Sequence, residues 1–297
     1  MKRLIVCLLL ATACYAAPKE TPYAPLTTFP ELGPARRVER GIVVHQVSLP
    51  GRVWIYLPEK LPTTPLPCIF IAPAGVPPFL GESFGPDLYL QKHPEHLPYV
   101  HAGFAVVAYD LDGALANRND ATFDEVKAAA QQFKNADAGM TNARHAIDYV
   151  VKMVPAIDPR RLYSAGHSSG GRISLLLAES DPRIAACVAY APVTDVERRV
   201  RQNFGDAGRY LEENLNGFRA FLRSSSPLQQ RARLTVPAFV FHAEDDRVIP
   251  IADTAAFVKA LQKTNPRVTF VRVPSGDHYD SMIEEGVPQA IRWLKER

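Results

Sequence analysis

The spacing of apolar residues changes from segment to segment, and each change marks an element. Two runs, Ile42–Leu49 and Arg52–Leu57, flank the turn pair Pro50-Gly51 and predict paired strands. Cys68–Ala72 and Phe104–Tyr109 are apolar without alternation, as in strands of a parallel sheet covered on both faces. From Thr122 the period lengthens. Thr122 and Glu125 have the spacing of a capping box, and Val126, Phe133, Met140, Ile147 and Val154 follow at seven-residue intervals. They form one stripe of a long helix that Gly139 interrupts and Pro155 ends. Strands are then expected at Arg161–Ala165, Ile184–Tyr190, Pro237–Phe241 and Arg267–Val273, with helices at Ser169–Glu179, Ile251–Lys263 and Met282–Lys295. Strand and helix in alternation predict an α/β fold built on a doubly wound, mostly parallel sheet. Residues 193–233 break the rhythm. They are polar and helical in pattern, and predict a lid-type insertion.

The start of the chain does not belong to this pattern. Lys2 and Arg3 precede an apolar run, Leu4–Leu10, and small residues follow, which is the layout of a signal peptide over residues 1–17. The run is shorter than the ~20 residues that span a bilayer. Leu10-Ala11-Thr12-Ala13-Cys14 also has the form of a lipobox, so a lipid anchor at Cys14 stands beside simple cleavage, and the expected location is periplasmic, secreted or membrane-anchored. Residues 18–40 are rich in Pro and Thr and predict an extended arm, leaving 41–297 as one domain. Of the 297 residues, 47% are hydrophobic and 22% charged, enough to bury a full core. A net charge of +3 with no basic stripe argues against a nucleic-acid partner. No metal spacing or phosphate loop is present, so no cofactor is expected. Cys68 and Cys187 lie in separate apolar runs and read as buried thiols.

The candidate chemistry starts at Gly166-His167-Ser168-Ser169-Gly170, a G-x-S-x-G motif between a predicted strand and a predicted helix. In that context a sharp turn lifts the Ser168 hydroxyl off the sheet as a nucleophile. A serine nucleophile needs a base, and the base needs an orienting acid. His278 follows the last strand in the small-residue loop Pro274–His278, where an imidazole can return to Ser168. The acid belongs to the loop after Pro237–Phe241, where Glu244, Asp245 and Asp246 compete. The oxyanion hole is expected to use the backbone N–H of Ser169 and that of Val76, with Ala74 and Gly75 as rivals, because Pro77 and Pro78 cannot donate.

At these residues the chain resembles the α/β-hydrolases, in their prolyl oligopeptidase-like and dienelactone hydrolase-like branch. The resemblance rests on Gly166–Gly171, Ser226-Pro227-Leu228 before Val236-Pro237, His242–Pro250 and Gly276–His278, in that order along residues 65–297. It implies a Ser–Asp–His triad, and its H-G-x-x-D-x-x-x-P pattern puts the acid at Asp246. Three departures bear on substrate. The arm is too short for the propeller of many oligopeptidases. Pro73-Ala74-Gly75 stands where dipeptidyl-type peptidases carry a tyrosine. Ser168 stands where dienelactone hydrolases proper use cysteine. The expected substrate is therefore a small ester first and a short peptide second. An inactive binding protein on the same fold is the reading from another class. The lid carries eight arginines and five acids, with no lysine. They predict a solvated face or, more sharply, a guanidinium for an anionic substrate group.

Overall fold

The structure is a computed structural model that describes residues 23–84 and 93–297. The expected signal peptide, including Cys14, lies outside the described residues.

Among the described residues nine strands form one sheet: β1 (Arg36–Glu39), β2 (Ile42–Leu49), β3 (Gly51–Pro58), β4 (Leu66–Ile71), β5 (Ala105–Tyr109), β6 (Ile157–His167), β7 (Ile184–Tyr190), β8 (Ala238–Ala243) and β9 (Val268–Val273). Their order is β1-β2-β3-β5-β4-β6-β7-β8-β9; pairings from β1 to β5 are antiparallel and those from β5 onward parallel. The fold is therefore the predicted doubly wound α/β sheet. Alternation within β4 explains its unbroken apolar sequence. Cys68 and Phe70 join the core on one face, and Ile69 and Ile71 join the core on the other. Cys68 on β4 and Cys187 on β7 are buried free thiols separated by β6.

Helices cover both faces: α1 (His93–His101), α2 (Phe123–Asn135), α3 (Met140–Met153), α4 (Ser168–Ser180), α5 (Val196–Asn203), α6 (Gly205–Asn214), α7 (Phe218–Ser224), α8 (Pro227–Gln230), α9 (Ile251–Leu261) and α10 (Val287–Lys295). The capping box at Thr122 is formed in both directions. The predicted long helix is two, because Gly139 has φ of +85° and turns the chain between α2 and α3. The last expected helix begins as a π turn, Met282–Gly286, before α10. Within the expected arm at 18–40, the described residues from 23 onward contact the domain. The arm's last residues form β1 against β2, Tyr23 donates to Asp148 at 2.6 Å, and Pro30 accepts from Tyr149 at 3.0 Å.

Helices α5 to α8 make up the expected insertion. Phe79, in the loop after β4, meets Phe204 and Phe218 edge to face at 5.5 and 5.9 Å, which seats the insertion on the body. Most of its arginines have partners. Arg198 pairs with Asp253 at 2.8 Å, Arg199 donates to the Val248 carbonyl at 2.9 Å, Arg209 pairs with Asp206, Arg219 with Glu212, and Arg231 donates to the Leu228 carbonyl at 2.5 Å.

Candidate active site

The parallel strands end on one rim, and the candidate residues sit there. Ser168 directly follows β6 and opens α4, with φ of +53°. That conformation costs a non-glycine residue roughly 1–2 kcal/mol, and it persists because its surroundings leave no alternative. A Cβ at Gly166 would lie 2.3 Å from the Gly170 carbonyl oxygen, and one at Gly170 would lie 2.7 Å from that of Ala72. The glycines of the motif are steric requirements of the turn.

Asp246 lies in the loop after β8 with its side chain fully buried. Its Oδ1 accepts from the amides of Val248 at 2.7 Å and Ile249 at 2.9 Å. Its Oδ2 accepts from His278 Nδ1 at 2.7 Å and from His242 Nε2 at 2.9 Å. Burial works to raise the carboxyl pKa. The bonds from His242, His278 and Ile249 outweigh it and hold the group well below the usual carboxylate range. Both partners of His242 Nε2, Asp246 Oδ2 and the Ile249 carbonyl, are acceptors, so this nitrogen carries the proton. Nδ1 then accepts from the Thr254 hydroxyl at 2.9 Å. By the same reasoning His278 donates from Nδ1, which leaves its Nε2 able to accept a proton.

The loop carrying His278 is tightly wound. Gly276 has φ of +111° and Asp277 of +49°. Asp245, the rejected neighbour of Asp246, accepts from both of their amides, at 3.3 and 2.9 Å. Among the described residues no hydrogen bond links Ser168 to the His278 ring, and such bonds often tighten only around substrate. His167 holds the two loops in register instead: its Nε2 donates to the His278 carbonyl at 2.7 Å, and the two rings lie 4.3 Å apart. Tyr279 meets the His167 ring edge to face at 5.6 Å. Burial, and behind it the charge of Glu95 and a hydrogen bond to it, pushes the Tyr279 hydroxyl up to about 12.

The loop after β4 turns at Gly75, with φ of +98°. The Gly75 amide donates to Ser169 Oγ at 3.1 Å, so this rival donor is engaged within the protein. The Gly75 carbonyl accepts from Arg118, which also pairs with Glu82 at 2.9 Å. Sequence reasoning used His242 only as the first residue of the His242–Pro250 pattern and gave it no role. The signal was its four-residue spacing from Asp246 across a tight turn. It also passed over Arg172, where a charge interrupts the otherwise apolar run of α4.

A mostly parallel sheet, a strained serine between strand and helix, and an acid and a histidine on later strand-end loops together define an α/β-hydrolase. The chain belongs to the prolyl oligopeptidase family, whose pattern it matches over residues 95–296. Among curated relatives it is similar to the acetyl esterase Axe7A of Xylanibacter ruminicola, 24% identical over 229 residues that cover 67% of this chain and 48% of that protein. It is also similar to the uncharacterized peptidase YuxL of Bacillus subtilis, 27% identical over 159 residues that cover 50% of this chain and 24% of the other. The chain thus spans about half the length of these relatives, or less. In fold it resembles acetyl xylan esterase 1 from Thermoanaerobacterium sp., with a TM-score of 0.62 at 16% identity over 90% of this chain and 87% of that one. It also resembles the acylaminoacyl peptidase of Pyrococcus horikoshii, with a TM-score of 0.61 at 15% identity over 90% and 41%.

Proposed function

We propose that this protein is a serine hydrolase that cleaves ester bonds through an acyl-enzyme. The observation that carries the reading is the 2.7 Å bond from His278 Nδ1 to a buried, ionised Asp246, on a loop that His167 ties to the strained Ser168 turn. Ser168 Oγ attacks the ester carbonyl while His278 Nε2 takes its proton. Asp246 fixes the imidazole orientation and stabilises the imidazolium that forms. The developing oxyanion meets the amides of Ser169 and Val76; the engagement of the Gly75 amide by Ser169 favours Val76 as the second donor. His278 then returns the proton to the leaving alcohol, and water releases the acyl group by the same steps in reverse order of partners.

Esters are placed ahead of peptides on two grounds. The similarity to acetyl esterases extends over most of the chain in fold and 67% of it in sequence. The described residues add no propeller, only the insertion of α5 to α8, which shapes a small site more readily than it grips an extended peptide. Binding energy from remote parts of a substrate drives hard chemical steps, and amide cleavage needs more of it. The proposal includes export, on the strength of the basic and apolar leader, with a lipid anchor at Cys14 as its membrane-bound form.

The test is Ser168→Ala assayed on p-nitrophenyl acetate, an acetylated sugar and an alanyl anilide, together with fluorophosphonate labelling. The expected result is loss of labelling and of roughly 10⁴-fold or more in turnover. Wild-type rates in the variant remove Ser168 from its role. Faster cleavage of the anilide than of the acetylated sugar moves the protein to the peptidases.

A further inference from the structure

Arg172 lies in α4, four residues beyond Ser168 and one helical turn beyond Ser169. Helical side chains lean toward the N-terminus, so its guanidinium is directed back toward the turn that bears the nucleophile. The residue is 1% exposed, and neither Nε nor Nη1 has a hydrogen-bond partner. Its described neighbour is the face of Phe133, 5.3 Å from the guanidinium carbon. Phe133 packs edge to face on Phe221 of α7, at 6.1 Å. Phe221 adjoins Phe218, which meets Phe79 in the loop that also carries Gly75 and Val76. The cation thus lies on one aromatic face, and a chain of ring contacts connects that face through the insertion to the loop after β4.

A buried guanidinium is strongly disfavoured unless it is paired and hydrogen-bonded, and an aromatic face compensates only part of the loss. Burial lowers the pKa of Arg172 to about 9, so it stays cationic at neutral pH, and no carboxylate among the described residues registers on it. The nearest candidate on its own helix is Glu179, two turns away. Burial pushes the Glu179 carboxyl up and Arg233 offsets this, so it supplies no counter-charge to Arg172. The sharper expectation for the arginines of the insertion therefore moves to a different residue. Most of theirs are engaged in ion pairs or backbone bonds, whereas this one is buried, charged and unpaired.

We propose that Arg172 binds a carboxylate of the substrate, and that the enzyme acts on esters bearing a second, ionised carboxyl group close to the scissile carbonyl. One helical turn, about 5.4 Å, separates the level of Arg172 from that of Ser169, next to the nucleophile, which suits an acyl group of only a few carbons ending in carboxylate. Guanidinium pairs with carboxylate through two parallel bonds, along either its Nε/Nη2 or its Nη1/Nη2 edge, and Nε and Nη1 each leave one of these edges with a free donor. This inference rests on the serine hydrolase reading of the same site and names its substrate class.

The experiment compares kcat/KM for mono-p-nitrophenyl glutarate and p-nitrophenyl butyrate. A further pair, 4-acetoxybenzoate and phenyl acetate, places the carboxylate on the leaving group. The glutarate hemiester is expected to exceed the butyrate by about 10- to 100-fold, the factor that charge-assisted bonds supply. The preference should collapse in Arg172→Met and partly return in Arg172→Lys, which keeps the charge without the fork. Free glutarate should raise the Tm of the wild type and not that of Arg172→Met. A preference seen only in the benzoate pair transfers the carboxylate from the acyl to the alcohol side and overturns the acyl assignment. If wild type cleaves both esters of each pair equally, the proposal fails while the esterase reading stands, and this comparison does not depend on any variant folding. If neither ester is cleaved and Ser168 resists fluorophosphonate, the underlying reading fails instead.

Discussion

Two charged side chains on the elements that carry the candidate site are buried, and the protein treats them in opposite ways. Asp246 has four hydrogen bonds to its two oxygens, from His242, His278, Val248 and Ile249. Arg172 has an aromatic face and no partner for Nε or Nη1. In the proposed mechanism Asp246 stays ionised in the same place through every turnover, and full satisfaction of its lone pairs secures both. Arg172 is left with binding capacity that a ligand can use. A saturated buried charge marks a part that orients other groups, and an unsaturated one marks a part that recognises.

The largest expected effect tests the saturated charge. Asp246→Asn presents an amide where His278 and His242 both donate, so at least one N–H meets another donor and the His278 tautomer is lost. The expected fall in kcat is on the order of 10⁴-fold. A loss below tenfold would remove Asp246 from the triad and with it the contrast with Arg172. A second consequence is read from stability. A carboxyl held below its unfolded pKa contributes stability that is present above that value, near ~3.9, and lost as pH falls through it toward the folded value. Urea midpoints between pH 6 and pH 3 should therefore fall more steeply for wild type than for Asp246→Asn, and parallel curves would show that the carboxylate is not stabilised by folding.

The contrast also bears on what the sequence carried. The sheet was legible because strands buried on both faces have no alternation to misread, as in Cys68–Ala72, and because α4 begins where a G-x-S-x-G turn must. The strand-end placement of Ser168 and His278 was legible from their loops, and that of Asp246, which His278 meets at 2.7 Å, from the pattern around His242 and Pro250. Gly139 was legible as an interruption but not as a full left-handed turn, since a seven-residue stripe runs through both α2 and α3. His242 was not legible because its role depends on the loop curling back to place Asp246 over its ring. Arg172 was not legible for a different reason. Whether a helix arginine reaches solvent depends on what covers it, and here the cover comes from Phe133 and from an insertion about fifty residues further along.

A middle-sized effect tests the unsaturated charge without reference to turnover. Replacing a buried, unpaired cation by an apolar chain of similar length removes a desolvation cost and leaves the packing on Phe133 largely in place. Arg172→Met is expected to be more stable than wild type in the absence of any carboxylate, by about 1–3 kcal/mol. At about 2–4 °C per kcal/mol for a domain of this class, calorimetry can resolve the shift. A lower Tm for the variant would make Arg172 a structural cation and bring it level with Asp246.

The smallest effect separates two adjacent acids. Asp245 is solvent-exposed and accepts from the amides of Gly276 and Asp277, so it holds the backbone of the His278 loop without touching the ring. Exposed bonds of this kind contribute about 1 kcal/mol or less, because water replaces the partner that is lost. Asp245→Ala removes both acceptors from a loop already at positive φ at Gly276 and Asp277, and should lower kcat by about fivefold. Asp245→Asn retains one carbonyl oxygen and should cost less than the alanine variant. KM should hardly change in either, because the loop positions the base and not the substrate. The comparison is sharpest as a single kinetic series in which Asp246→Asn loses orders of magnitude more than Asp245→Asn. The reverse ranking would transfer the orienting role to Asp245, and the saturated charge would then be a structural feature beside the site.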